Sequence, residues 1–175
     1  MPLLAIYPRD RLMFPDKVLT HAEDIQRHLA DFGVGLHCLP APRLSESAAP
    51  EGFLDLLVDE PAVATLRYAE IFHHAAPPAY AEQSDADAQP VHQHPESTAR
   101  WLLKGTGSFC LFAADGLYYL ECRPGDLLLL PAGMPHAFLP RVGQPGCVLR
   151  LAAKADDLTS LASPDCSLQG FQPLD

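Results

Sequence analysis

A mainly β domain, a barrel or sandwich of short antiparallel strands with helices packed on it, is the fold class this chain predicts, on three observations. Five apolar runs of four to six residues crowd the second half, at 98–103, 108–112, 117–122, 127–130 and 147–151, each bounded by Gly, Pro or Asp turns. Eighteen prolines in 175 residues interrupt the backbone too often for a long helical bundle. The length is one domain's worth, and 48% hydrophobic with 19% charged residues supplies one buried core and no more.

Taken in order, the first element is a helix. Thr20 and Glu23 fit a capping box, Ile25, Leu29 and Phe32 recur at helical spacing, and Gly33 stops the run. Glu23, Asp24, Arg27 and His28 form its polar side. Residues 34–39 read as a strand ending at Pro40 and Pro42. Pro50 and Pro61 each stand where a first helical turn tolerates proline, so 50–57 and 61–67 are expected as short helices. Residues 68–74 fit either the end of that helix or a short strand. The stretch 75–90 reads as a loop that adds little core. Beyond it Ala114, Asp115 and Gly116 mark a hairpin, and Arg123 through Asp126 a turn into the most apolar strand. Helices thus fall early and strands late.

The net charge of −10 repels phosphate backbones and anionic membrane surfaces, so neither nucleic acid nor membrane is expected as a partner. No apolar run approaches the ~20 residues of a membrane span, and the first ten residues lack a leader's basic and apolar regions. A cytoplasmic location follows as an expectation. Cys38, Cys110, Cys122, Cys147 and Cys166 are odd in number and scattered, which reads as reduced thiols used in packing.

Eight histidines are available, and His92, His94 and His136 stand apart by context. On extended chain His92 and His94 project to one face, where both imidazoles reach a single ion. His-x-His by itself also fits two polar loop histidines. The support comes later, where a glycine turn, an apolar strand and a Pro-x-Gly turn carry the chain across the barrel and return His136 to the same mouth. His73 and His74 read as a solvated pair, His21, His28 and His37 as surface positions, and Trp101, Tyr118 and Tyr119 as packing.

Gly125, Pro131, Gly133 and His136 occupy every required position of the second cupin motif, with Pro140 where its final Asn would stand. His92, His94 and Gly105 match the first motif, whose Glu slot holds Thr98. The chain therefore resembles the cupin superfamily. Within it, His92, His94, Arg100, Gly105, Gly107, Phe109, Gly125, Asp126, Leu127, Pro131, Gly133, His136 and Phe138 are similar in type and spacing to the acireductone dioxygenase family. The resemblance is specific over 92–151 and looser before it.

That resemblance implies a cupin-type double-stranded β-helix, a jelly-roll barrel, with N-terminal helices packed against it. Residues 1–175 would form a single cupin domain: an N-terminal part and loop at 1–90, a barrel core with both motifs at 91–155, and a C-terminal tail at 156–175. His92, His94 and His136 would hold a divalent transition metal, Fe or Ni first, with Zn, Cu, Mn or Co also compatible with imidazole ligands. Arg100 would face the substrate oxygens, and Phe138 would line the pocket; an ion pair and simple core are the alternative roles for these two. The family's acidic residues do not carry over: the position before the first His is Val91, the ligand slot is Thr98, and its downstream aromatic corresponds to Leu158. Glu96 shares strand parity with His92 and His94 and is the candidate for a fourth ligand.

The implied activity is a metal-dependent dioxygenase that cleaves an anionic or enediol-like chelating substrate with dioxygen, the substrate itself open to alteration. A cupin lyase or isomerase and a non-catalytic small-molecule-binding cupin remain as alternatives. Three imidazoles without a carboxylate leave a divalent site at +2, which favours anionic chelating ligands. Monomer and homodimer are both compatible with the sequence.

Overall fold

The computed structural model describes residues 2–44, 49–75, 91–141 and 143–174. Two antiparallel sheets face one another. Their strands in chain order are β1 Leu3–Tyr7, β2 Lys17–Leu19, β3 Gly35–Cys38, β4 Tyr68–His74, β5 His92–Gln93, β6 Thr98–Lys104, β7 Gly107–Ala113, β8 Gly116–Cys122, β9 Asp126–Leu130, β10 His136–Pro140, β11 Gly146–Ala152 and β12 Leu161–Ala162. The larger sheet runs β12-β5-β10-β7-β8-β1-β2 and the smaller β3-β9-β6-β11-β4. This is the mainly β barrel that the strand spacing predicts.

Alternation along β6 shows how one strand serves two layers. Leu102 joins Leu4, Leu111, Leu120, Leu128 and Val148 in the core between the sheets. Ala99, Trp101 and Leu103 point the other way, into a second cluster with Leu127, Leu149 and Leu151. There they meet α2 (Pro50–Leu56), whose Phe53 stands edge-on to Trp101 with ring centroids 6.3 Å apart. Burying a side chain of this size contributes roughly 1.5–3 kcal/mol, so both faces of the smaller sheet stabilise the fold. A third cluster covers the outer face of the larger sheet, where Phe171 packs on Tyr7 and Tyr119.

The first half departs from the expected helices-then-strands order. Before residue 75 the chain already supplies β1 and β2 to one sheet and β3 and β4 to the other. β1 pairs with β8 over five residues, Leu3 with Glu121 through Tyr7 with Leu117. Its two faces are both covered, Leu4 on the core side and Ala5 and Tyr7 on the outer side, so its sequence shows no polar alternation. The region 61–67, expected as a helix, forms only a 3-10 turn at Pro61–Val63, with the Glu60 carboxylate accepting from the Ala62 amide. Residues 68–74 resolve to strand β4. Helix α1 spans Ala22–Ala30, and its N-cap is His21, not Thr20, without a side-chain cap bond. Ile25 and Leu29 on its inner face are fully buried and pack into the core between the sheets. Most of the expected 75–90 loop lies outside the described residues.

Gly125 shows what one motif glycine does. Its φ of +101° is in the left-handed region, and an added Cβ would run into the Leu39 carbonyl. That close approach lets the Gly125 carbonyl accept from both the Leu39 amide at 3.1 Å and Trp101 Nε1 at 3.0 Å. The turn before β9 is thereby tied to the end of β3 and to β6. Asp126 closes the same turn, its Oδ2 accepting from the Arg123 amide at 2.8 Å.

Candidate metal centre

The two sheets enclose a cavity of about 230 Å³. One end is walled by Phe72, Phe109, Phe138, Pro140 and Val148, with the His74 ring 5.8 Å from that of Phe138; the other carries His92, His136, Arg100 and Arg150, and Ser160 also lines the cavity. Among the described residues, neither Asp nor Glu lines it.

Separate elements bring the three sequence-predicted histidines together. His136 opens β10 and stands opposite His92 of β5, and His94 follows β5 by one residue. Ring centroids lie 4.4 Å apart for His92 and His136, and 5.2 Å for His94 with either neighbour. One nitrogen from each ring falls within 4.8 Å of the others. Among the described residues these are the imidazoles that form a potential metal-holding group. Glu96 is exposed in a bend and stands outside it.

Hydrogen bonding fixes which nitrogen each buried ring presents. A carbonyl can only accept, so His136 Nδ1, 2.9 Å from the Met134 oxygen, carries the proton. Its Nε2 is then a bare lone pair, and that atom is buried without a hydrogen-bond partner. An orphaned acceptor of this kind costs free energy unless something binds it. His94 Nδ1 likewise donates to the Thr159 carbonyl at 3.0 Å, and Arg100 Nη2 donates to its Nε2 at 2.8 Å. Burial, reinforced by the Arg100 charge, pushes the pKa of His94 down to about 4 and that of His136 to about 3. Both rings are therefore neutral near pH 7, the form a metal requires. Three imidazoles, each offering one ring nitrogen, are a donor set that fits a divalent transition metal.

Arg100 is buried on the inner face of β6, its other hydrogen bond running to the Ala99 carbonyl at 2.9 Å. No ion pair forms at Arg100 among the described residues, so the structural pairing considered for it is not present there. Desolvation pulls its pKa down to about 9, with Arg150 adding repulsion and Glu70 opposing it. Phe138 reaches the cavity wall, 4.9 Å from Phe109 and 5.8 Å from His74 between ring centroids. Thr98 lies on the same inner face as Arg100, and its buried hydroxyl has no partner. Leu158 is buried and offers its carbonyl to Arg150 rather than a side chain to the cavity.

Sequence reasoning missed Arg150, Glu70, His74 and the segment after Leu158. Arg150 sits opposite Arg100 in the β6–β11 register and opposite Glu70 in β4, to which it bonds at 3.0 Å. Its signal was available: a lone cation at core-facing parity inside an apolar strand. The segment expected as a C-terminal tail supplies β12, whose Leu161 and Ala162 pair with Gln93 and His92, while Ser163 donates its amide to the Val91 carbonyl at 3.2 Å. Together with the Thr159 carbonyl, this segment holds the His92–His94 stretch in place.

A two-sheet barrel with glycine-turned strands and converging imidazoles in its interior defines a cupin. A model of the ARD/ARD' family matches residues 78–143. The acireductone dioxygenase of Stutzerimonas stutzeri (strain A1501) is 30% identical over 146 residues, 79% of either chain. That of Pseudomonas syringae pv. syringae (strain B728a) is 31% identical over the same share. In fold, an acireductone dioxygenase from Bacillus anthracis, solved with a cadmium ion in its active centre, superposes with a TM-score of 0.69 at 15% identity, covering 92% of this chain and 98% of that one. This chain belongs to the acireductone dioxygenase family, a family of metal-dependent dioxygenases.

Proposed function

We propose that His92, His94 and His136 hold a divalent iron or nickel ion and that the chain is a dioxygenase for an enediol-type substrate, acireductone or a close relative. The observation that carries this reading is the orphaned, buried Nε2 of His136, on a ring that offers one nitrogen within 4.8 Å of ligand nitrogens from His92 and His94. When bound, the metal would supply Lewis acidity and a template for an oxygen-chelating substrate. The protein's own groups do the rest. Arg100 and Arg150 line the cavity beside the imidazoles and favour the deprotonated, anionic form of a bound enediol. Phe72, Phe109 and Phe138 exclude water from the substrate and seat its apolar portion. The Met134 and Thr159 carbonyls hold the His136 and His94 rings in the required tautomer.

The test is oxygen uptake with acireductone after reconstitution with iron or nickel, alongside metal analysis of the wild type and His136→Ala. Uptake by the wild type, lost together with metal in the variant, is expected. No uptake with either metal would reject acireductone as substrate, and turnover under strict anaerobiosis would assign lyase or isomerase chemistry instead.

A further inference from the structure

We propose that the site takes up its metal together with a small carboxylate, each raising the affinity for the other, so that an external ligand provides the acid that Thr98 does not. This rests on the three-imidazole metal reading above and concerns what completes it.

His94 is held from both sides. With Nδ1 donating to Thr159, its one remaining lone pair is on Nε2, and Arg100 Nη2 already occupies it at 2.8 Å. A guanidinium and a metal ion cannot share a single lone pair, so Arg100 competes with the metal for this ligand. Arg100 itself is poorly served: it has five N–H donors, is 5% exposed, and bonds among the described residues to Ala99 and His94 without a carboxylate in reach. Arg150 cannot lend its counter-charge, because Glu70 is engaged at 3.0 Å. Two residues from Arg100 on the same face, the enclosed Thr98 hydroxyl bonds to nothing.

Loading a divalent ion therefore places its charge beside a guanidinium without a carboxylate partner, and no acid is among the described residues that line the cavity. Two such charges without a counter-ion are costly in a buried site. A carboxylate has two oxygens and resolves both difficulties. One oxygen accepts from the Arg100 fork and draws it off His94, which frees Nε2; the other faces the metal. The cavity reaches Arg100, His92 and His136 at once and continues between aromatic walls, which suits a small carboxylate with an apolar remainder. By linkage, whatever the carboxylate does for metal affinity the metal does for carboxylate affinity.

The experiment titrates metal-stripped full-length protein with zinc by calorimetry, in acetate and in perchlorate at equal ionic strength. Zinc should bind about tenfold tighter in acetate. In Arg100→Gln the competitor for Nε2 is gone, so zinc should bind in perchlorate at least as tightly as to the wild type, and the acetate effect should fall below about twofold. Thr98→Glu, which restores an internal acid, should lose the acetate effect in the same way. Should that variant not fold, Arg100→Gln decides alone. Equal zinc affinity in the two buffers for the wild type, or an undiminished acetate effect in Arg100→Gln, would overturn the coupling while leaving the metal site standing. Zinc affinity that His136→Ala leaves unchanged would overturn the metal reading itself.

Discussion

The interior of the barrel has two halves that are both buried and chemically opposite. Along the inner face of β6, Leu102 belongs to a cluster in which Leu111, Leu120 and Leu128 are fully buried. Two residues away, Arg100 is almost as enclosed, beside His94 and His136. The apolar half gains stability from every group it removes from water. The polar half desolvates a cation and two imidazoles and leaves His136 Nε2 and the Thr98 hydroxyl without partners, which costs stability. Such a region is explained by what it binds, and the apolar half is what makes it tolerable.

The distinction can be tested by moving each half separately. The largest effect belongs to the apolar side: Leu111→Ala should lower unfolding free energy by about 2–5 kcal/mol in urea titrations. Zinc affinity of the folded variant should stay unchanged, and a variant that folds but no longer binds zinc would erase the division. Next comes acid. His94 and His136 are held neutral, with folded pKa values of about 4 and 3, below the ~6.5 of an unfolded histidine. The unfolded chain therefore binds more protons below pH 6.5, and their contribution to stability, present above that pH, is lost as pH falls toward 4. Metal-free protein should be about 2 kcal/mol less stable at pH 5.5 than at pH 7, and His136→Ala should flatten that slope. The smallest effect is at the rim. Glu70→Gln removes the half-exposed partner of Arg150 and should change stability by less than about 1 kcal/mol; a larger loss would make the Glu70–Arg150 pair part of the structural half.

Much of this was legible in the chain because the local chemistry is strong. Gly125, Asp126, Pro131 and Gly133 punctuate β9 so firmly that the strand and the return of His136 follow from turn residues alone. His92 and His94 were legible as a pair because extended chain aligns alternate side chains. β1 was not, since both its faces are covered and no polar alternation marks it. The 61–67 helix failed because proline starts a turn as readily as a helix, and the chain leaves for β4 after Val63. Arg150 and Glu70 find each other across 80 residues of sequence, a pairing that only the β4–β11 register creates. Thr98 was visible as a departure from pattern, but the capture of His94 by Arg100 depends on side-chain positions that no spacing encodes.

The clamp formed by Thr159, Leu161, Ala162 and Ser163 has a consequence for how the molecule comes into being. Most of the barrel is specified before residue 158, yet the His92–His94 stretch is pinned by residues translated roughly seventy positions later. A growing polypeptide therefore cannot finish its binding centre during the early part of its synthesis. Maturation ends at the binding centre: a chain released just short of Thr159 would lack the groups that hold His92 and His94 in place, together with the Phe171 contacts that cover Tyr7 and Tyr119.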